Sequence, residues 1–272
     1  MRKRANVLVI GLMIVIGAGL LFSGISKMHE AAGRANCNNN VRDIGVSIQN
    51  YLDVNACFPP GTVRNQLLPA EKRLSWLVEI LPYIESTNLV FDKKKSWDAE
   101  ENLRLRDPKG TRRNVGEYRL FLCPSNPIRA DLDWPGLSHY VGIAGLGRDA
   151  AELSLREGED SAIRRDVGFF GYDRKIKPED IPDGLATTLA VAETRAENGP
   201  WTAGGRATVR GLDSQLPYLG SGGQIGGNHI GRAMVLMADG SARFIGESIQ
   251  PKVFEALATI AGGEEVGQID DG

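Results

Sequence analysis

The first fifth of the chain carries two hydrophobic patterns in succession, one unbroken and one periodic. Ala5 to Ser26 is a run of 22 residues with no Asp, Glu, Lys or Arg, and about 20 apolar residues suffice for a helix to cross a bilayer. Val41, Ile44, Gly45, Ile48, Tyr51 and Leu52 then recur at spacings of three and four, the stripe of a helix buried along one side. No proline occurs before Pro59, so one helix can run from the apolar segment through Leu52. Asn38, Asn39 and Asn40 are its weak point, since asparagine competes with the helix backbone for hydrogen bonds. "CFPPG" (57–61) stops it, because tandem prolines remove donors and force extended geometry.

The pattern then shortens. "LSWLVEILPYIE" (74–85) predicts a packing helix, and "SWDAEENLRLRD" (96–107) a second, opened by Ser96 as a cap and acids in the first turn. From about residue 117, "EYRLFLCP", "SHYVGIAG", "VGFFGY", "ATTLAVAE", "AMVLMA" and "ARFI" are short apolar runs bounded by Gly, Pro and Asp, and predict strands of a mainly antiparallel sheet. "YLGSGGQIGG" (218–227) reads as a long loop, and "PKVFEALATIAGG" as a closing helix. Asp239-Gly240, between "AMVLMA" and "SARFI", predicts a two-residue hairpin turn. Antiparallel strands then bring His229 beside Ile245 or Gly246 and away from Asp239, which excludes a His–Asp catalytic dyad and leaves His229 fastening loop to sheet.

These elements divide the chain into residues 1–26, a basic start and membrane anchor, and residues 27–272, one α+β domain with a core helix at 27–53 and a hairpin at 228–246. Charge sets the orientation. Arg2, Lys3 and Arg4 precede the apolar run, whereas Lys27 and Arg34 after it are partly balanced by Glu30. The amino terminus is therefore expected in the cytoplasm and the domain outside. A cleaved secretory signal is the rival reading, but its apolar core spans only about 7 to 15 residues. The formal net charge of −2 gives no basic face for nucleic acid.

Cys37, Cys57 and Cys123 all fall on the exported side, where disulfides persist. Three pairings are open, and Cys37 with Cys123 is favoured. A metal is not expected, because His229 is accompanied outside the anchor only by His29 and His139, in unrelated contexts. The acids of "PEDIPDG" (178–184) lack the calcium-loop pattern. Gly145-x-Gly147-x-x-Ala150 imitates a dinucleotide fingerprint, but the alternating strands and helices such a site needs do not follow, so no cofactor is expected. Nucleophile and hydrolase motifs are absent from the sequence. Trp76 and Trp97 lie on amphipathic segments and predict core packing. Trp134 and Trp201, flanked by Pro135 and Pro200, are candidates for stacking a glycan or peptide.

The chain resembles the bacterial pseudopilin-like, prepilin-type family of unknown function named for its carboxy-terminal H-X9-DG motif. His229, Asp239 and Gly240 match that motif in spacing and identity. "CNNNVRDIGVSIQNYLDVNACFPPG", "LSWLVEILPYIESTNLVFDKKKSWD", "YRLFLCPSNP", "HYVGIAG", "IPDGLATTLAVAE" and "PWTAGG" are similar to its other blocks in the same order. The resemblance implies a type IV pilin-like fold, with a long amino-terminal helix anchored in the inner membrane and packed on an antiparallel sheet. It also implies a non-enzymatic role in type II secretion or type IV pilus-like assemblies, through self-association or protein partners. One departure is specific: the Gly-Phe-Thr-Leu-x-Glu processing motif of prepilin-type members is missing from "MRKRANVLVIGLMIVIGAG". That glutamate, costly in a bilayer unless paired, registers neighbouring subunits, so this chain is expected to stay permanently anchored. The alternative is a membrane-tethered periplasmic module that binds a glycan or peptide.

Overall fold

The computed structural model describes residues 2–84, 89–106, 112–114, 116, 118–127, 135–155, 165–220 and 222–263, with residues 2–26, 105, 106 and 112–114 described by backbone alone. One helix, α1, runs without interruption from Arg2 to Asn55. The three asparagines do not break it, because the stripe on either side of them is buried: Cys37, Val41, Ile44 and Ile48 are each at most 1% exposed. Burying a side chain of the size of Val or Ile stabilises by about 1.5–3 kcal/mol, well above the few tenths that an asparagine costs a helix. Among the described residues no helix is long and apolar enough to cross a membrane. The predicted span, residues 5–26, lies outside the residues whose side chains are described.

Two short helices follow, α2 (Trp76–Ile80) and α3 (Glu100–Leu103). Both are shorter than their sequence patterns predict. Pro82 turns the end of α2 into a 3-10 turn over Leu81–Tyr83, since proline lacks the donor an α-helix needs. Ala99, not Ser96, precedes α3, which gives way to a small antiparallel ribbon of β1 (Arg104–Arg106) and β2 (Arg112–Asn114).

The central sheet has five strands: β3 (Tyr140–Leu146), β4 (Leu189–Glu193), β5 (Val209–Leu212), β6 (Arg232–Met237) and β7 (Ala242–Gly246), in the order β5-β3-β4-β6-β7. Pairs β3–β4, β4–β6 and β6–β7 are antiparallel, and β3–β5 is parallel. Two expected strands do not form among the described residues: "EYRLFLCP" forms a 3-10 turn at Arg119–Phe121, and "VGFFGY" makes an isolated bridge from Val167 to Gly145, with the Gly168 and Phe170 N–H groups donating to the Ala144 and Ile143 carbonyls. Conversely, β5 was not foreseen.

Alternation along the strands separates two cores. Met234, Leu236 and Ala238 face the α1 side with Cys37, Val41, Ile44 and Ile48. Ala233, Val235 and Met237 face the opposite side, where α4 (Pro251–Ala258) brings Phe254, Leu257 and Ala258. The fold is thus mixed α+β, with the amino-terminal helix on one face of the sheet and the carboxy-terminal helix on the other.

Candidate functional site

The β6–β7 hairpin lies along α1 and touches it at both ends. Its turn is a three-residue loop, Ala238 to Gly240, rather than the two-residue turn predicted: the Met237 N–H reaches the Ser241 carbonyl at 2.9 Å and the Gly240 N–H the Met237 carbonyl at 3.0 Å. Gly240 sits at φ +86, the left-handed residue that closes this kind of hairpin. Asp239 Oδ1 accepts from the Ser241 N–H at 2.8 Å and from its hydroxyl at 2.6 Å, fixing the turn. Gln49 Nε2 of α1 donates to the Ala238 carbonyl at 2.9 Å. There is no room for a side chain at Gly45, where a Cβ would lie 2.7 Å from Leu236 Cδ1 and 2.9 Å from the Gly240 oxygen. Asp239 and Gly240 therefore shape a turn that α1 packs against.

His229 stands at the other end, before β6, with its side chain fully buried. It lies near the strand ends as expected: the next residues reach β7 through Arg232 opposite Gly246 and the Glu247 N–H on the Gly231 carbonyl at 2.9 Å. Its ring meets Phe244 edge-on, with centroids 5.5 Å apart. Around it the fold gathers residues far apart in sequence. Nε2 is 3.5 Å from Cys123 Sγ and 3.8 Å from Glu193 Oε2, and Nδ1 is 3.5 Å from Glu30 Oε1 on α1. Cys37 of α1 completes the group: one ligand-type atom from each of Cys37, Cys123, Glu193 and His229 lies within 4.8 Å of every other, and all four residues are buried.

Each member is held by the fold. Cys37 lies on the buried stripe of α1, one turn from Val41, and its Sγ is 3.1 Å from the Tyr140 hydroxyl. Cys123 follows the Arg119–Phe121 turn, where its N–H donates to His139 Nδ1 at 3.0 Å and Asn40 of α1 donates to the Leu122 carbonyl at 2.9 Å. Glu193 ends β4 directly opposite Tyr140 in the sheet. Gly227 leaves space for its carboxylate, since a Cβ there would overlap Oε1.

The electrostatics of the group are unbalanced. Glu193 is wholly buried, and neither carboxylate oxygen has a hydrogen-bond partner among the described residues. Burial, with the nearby Cys123, pushes its pKa well above the usual carboxylate range. The Cys123 thiol is pushed up to about 12 by its hydrogen bond with Cys37 and by burial. For His229, burial acts downward but is outweighed by the hydrogen bond with Cys123 and the Glu193 charge, so its pKa stands above the ordinary value. A buried carboxyl group without a hydrogen-bond partner is costly, and it lowers that cost by holding its proton; two sulfurs, an imidazole and a carboxylate are also the donors from which borderline-soft cation sites are built.

Several expectations change here. Cys37 and Cys123, the pair favoured for a bridge, are brought side by side as free buried thiols, and Cys57 is a third buried free thiol elsewhere. Too few histidines accompany His229 for a metal site, but the fold adds Cys37, Cys123 and Glu193 to it and so removes that objection. His139 is no bystander either, because it anchors the backbone of Cys123. Trp201 is corrected from a stacking platform to a core residue: it is 0% exposed, enclosed by Phe91, Tyr118 and Phe121. Trp134 lies outside the described residues. Glu193 escaped notice in the sequence, although the pattern "LAVAE" held a signal: an acid at the end of an apolar strand that continues the face turned to the α1 core.

No curated protein and no solved structure matches the chain. A family model does, over residues 26–216, a range that holds Cys37, Cys123 and Glu193 and ends before the hairpin. With more than half of its length matched, and with the H-X9-DG motif that this family carries at 229–240, the chain belongs to the family described as protein of unknown function (DUF1559).

Proposed function

We propose that the chain is a non-enzymatic, membrane-anchored structural or assembly protein of pseudopilin-like design, acting through protein contacts on the exported side of the inner membrane. The observation that carries this reading is the continuity of α1. One helix of 54 residues joins the charge-free stretch 5–26 to the stripe that forms the α1-side core. A helix of that length extends about 80 Å, so anchor and domain are coupled without a hinge. Met28, Val46 and Val54 on α1 remain 73%, 58% and 72% exposed, which leaves apolar surface on the rod for a protein partner. A binding module has less support now that Trp201 is enclosed. In the cavity of about 530 Å³ beside Arg73, Asp173 and Arg174, both arginines are engaged: Arg73 pairs with Asp173, and Arg174 donates to the carbonyls of Leu153, Gly168 and Ala150.

The test combines topology and contact in the native membrane. The chain is expected to resist alkaline extraction, to be digested by protease added on the exported side, and to crosslink to itself or to another exported protein from a photoreactive side chain at Val46. Release by alkali, protection of the domain from that protease, or a monomer that crosslinks to no protein overturns the reading.

A further inference from the structure

We propose that Cys37, Cys123, Glu193 and His229 bind one zinc ion, which staples α1 to the sheet. The inference is independent of how α1 is anchored, because all four ligands lie within the folded domain.

Geometry supports it first. A tetrahedral ion with bonds of about 2.0–2.3 Å to nitrogen, oxygen and sulfur separates its ligand atoms by about 3.3–3.8 Å. The Cys123–His229 and His229–Glu193 separations are 3.5 and 3.8 Å, and no separation within the set exceeds 4.8 Å. Closing the set around an ion needs only small side-chain movements. The Glu193 carboxylate, wholly buried and with no hydrogen-bond partner for either oxygen among the described residues, is the second, independent observation. A cation supplies the bond its oxygens otherwise lack, and takes up the protons' place on the two thiols as they ionise.

The surroundings are those of a ligand set. A metal-bound histidine commonly donates its outer N–H to a carboxylate, which fixes the ring and the tautomer. Glu30 is placed for that role, 3.5 Å from Nδ1. The Tyr140 hydroxyl, 3.1 Å from Cys37 Sγ, is placed to donate to a thiolate. Glu30 also lines a surface cleft with His29, Gly33, Asn36, Ser125 and Asn228. Four buried protein ligands leave no position for water or substrate, which marks a structural rather than a catalytic zinc. The ligands come from α1, the segment after the Arg119–Phe121 turn, the end of β4 and the loop before β6, so one ion ties together four separate parts of the chain.

The test uses the full-length chain purified in detergent from cells grown in ordinary medium, without added metal. Elemental analysis is expected to find about one zinc per chain. Cys57→Ser should retain it and Cys37→Ser should lose it, with circular dichroism reporting the fold of each. Replacement by Co2+ is expected to give the intense visible bands of a tetrahedral site and a thiolate-to-cobalt absorption in the near ultraviolet. His229→Cys keeps four ligands and raises the thiolates from two to three, so that absorption should rise by about one half. This arm decides the matter even if Cys37→Ser fails to fold. The proposal is overturned by folded wild-type protein that holds no zinc and takes up no Co2+. It is equally overturned by an intact mass two hydrogens low with the Cys37–Cys123 bridge mapped, or by a cobalt spectrum indifferent to His229→Cys.

Discussion

The two ends of the β6–β7 hairpin hold the same helix by different physics. At the turn the contact is steric: Gly45 offers no side chain, Leu236 and the Gly240 carbonyl fill the space, and one hydrogen bond from Gln49 sets the register. At His229 the contact is polar and buried, and it includes the Glu193 carboxylate with no hydrogen-bond partner among the described residues. The two ends are matched in reach, since Glu30 to Gly45 spans about 22 Å of helix and β6 about 20 Å of strand. Close packing is complete by itself, whereas a buried polar cluster is stable only when every charge is answered. One end of the motif is therefore a finished joint, and the other a joint that calls for an ion.

The two ends are expected to differ most in their response to the ion. With free zinc at about a thousand times its dissociation constant, binding stabilises by about 4 kcal/mol, or roughly 8–16 °C in a domain of this size. Stripping the wild-type protein with a strong chelator should lower its Tm by that amount, and restoring Zn2+ should recover it. A melting curve indifferent to chelator would mean that both ends are finished joints, and the distinction between them would collapse.

That asymmetry also decides what could be read from the sequence. The stripe Val41, Ile44, Ile48 is local, so the core helix was legible, as were β3, β4, β6 and β7 from their apolar runs. Gly240 was legible because a turn is a property of adjacent residues, although the loop proved one residue longer. The cluster was not. Cys37, Cys123, Glu193 and His229 are spread over 193 positions of chain, from 37 to 229, and they meet only because β4 lies between β3 and β6 with α1 across that face. Trp201 failed for the related reason that a flanking proline says nothing about the aromatic cage that tertiary packing builds around it. Strand β5 was missed because "VRGL" is too short to carry a period, and it pairs in parallel with a strand more than sixty residues earlier.

At the steric end, Gly45→Ala sharpens the contrast with an effect of intermediate size. The added methyl meets Leu236 and the Gly240 backbone, and overpacking of this kind costs about 1–3 kcal/mol. Alanine returns up to about 1 kcal/mol through its better helix propensity, which leaves a net loss read as a lower urea midpoint. The loss should be the same with and without chelator, because nothing at Gly45 touches the cluster. A gain in stability would show that α1 can shift to accept the methyl, and that the turn is not a tight joint.

The smallest effect expected is that of Asp239→Ala. Asp239 is exposed, and among the described residues its carboxylate accepts from the Ser241 N–H and hydroxyl, the latter also accepting from Arg243 Nη2 at 3.1 Å. Losing a solvent-exposed turn acceptor costs about 0.5–1.5 kcal/mol, and Asp239→Asn, which keeps an acceptor oxygen, should recover most of it. Neither change should alter zinc content, because the hairpin carries Asp239 and His229 at opposite ends. Loss of the metal on Asp239→Ala would show instead that the turn sets the angle at which His229 enters the cluster. The spacing between His229 and Asp239 would then be a requirement of the metal site, imposed through the length of β6.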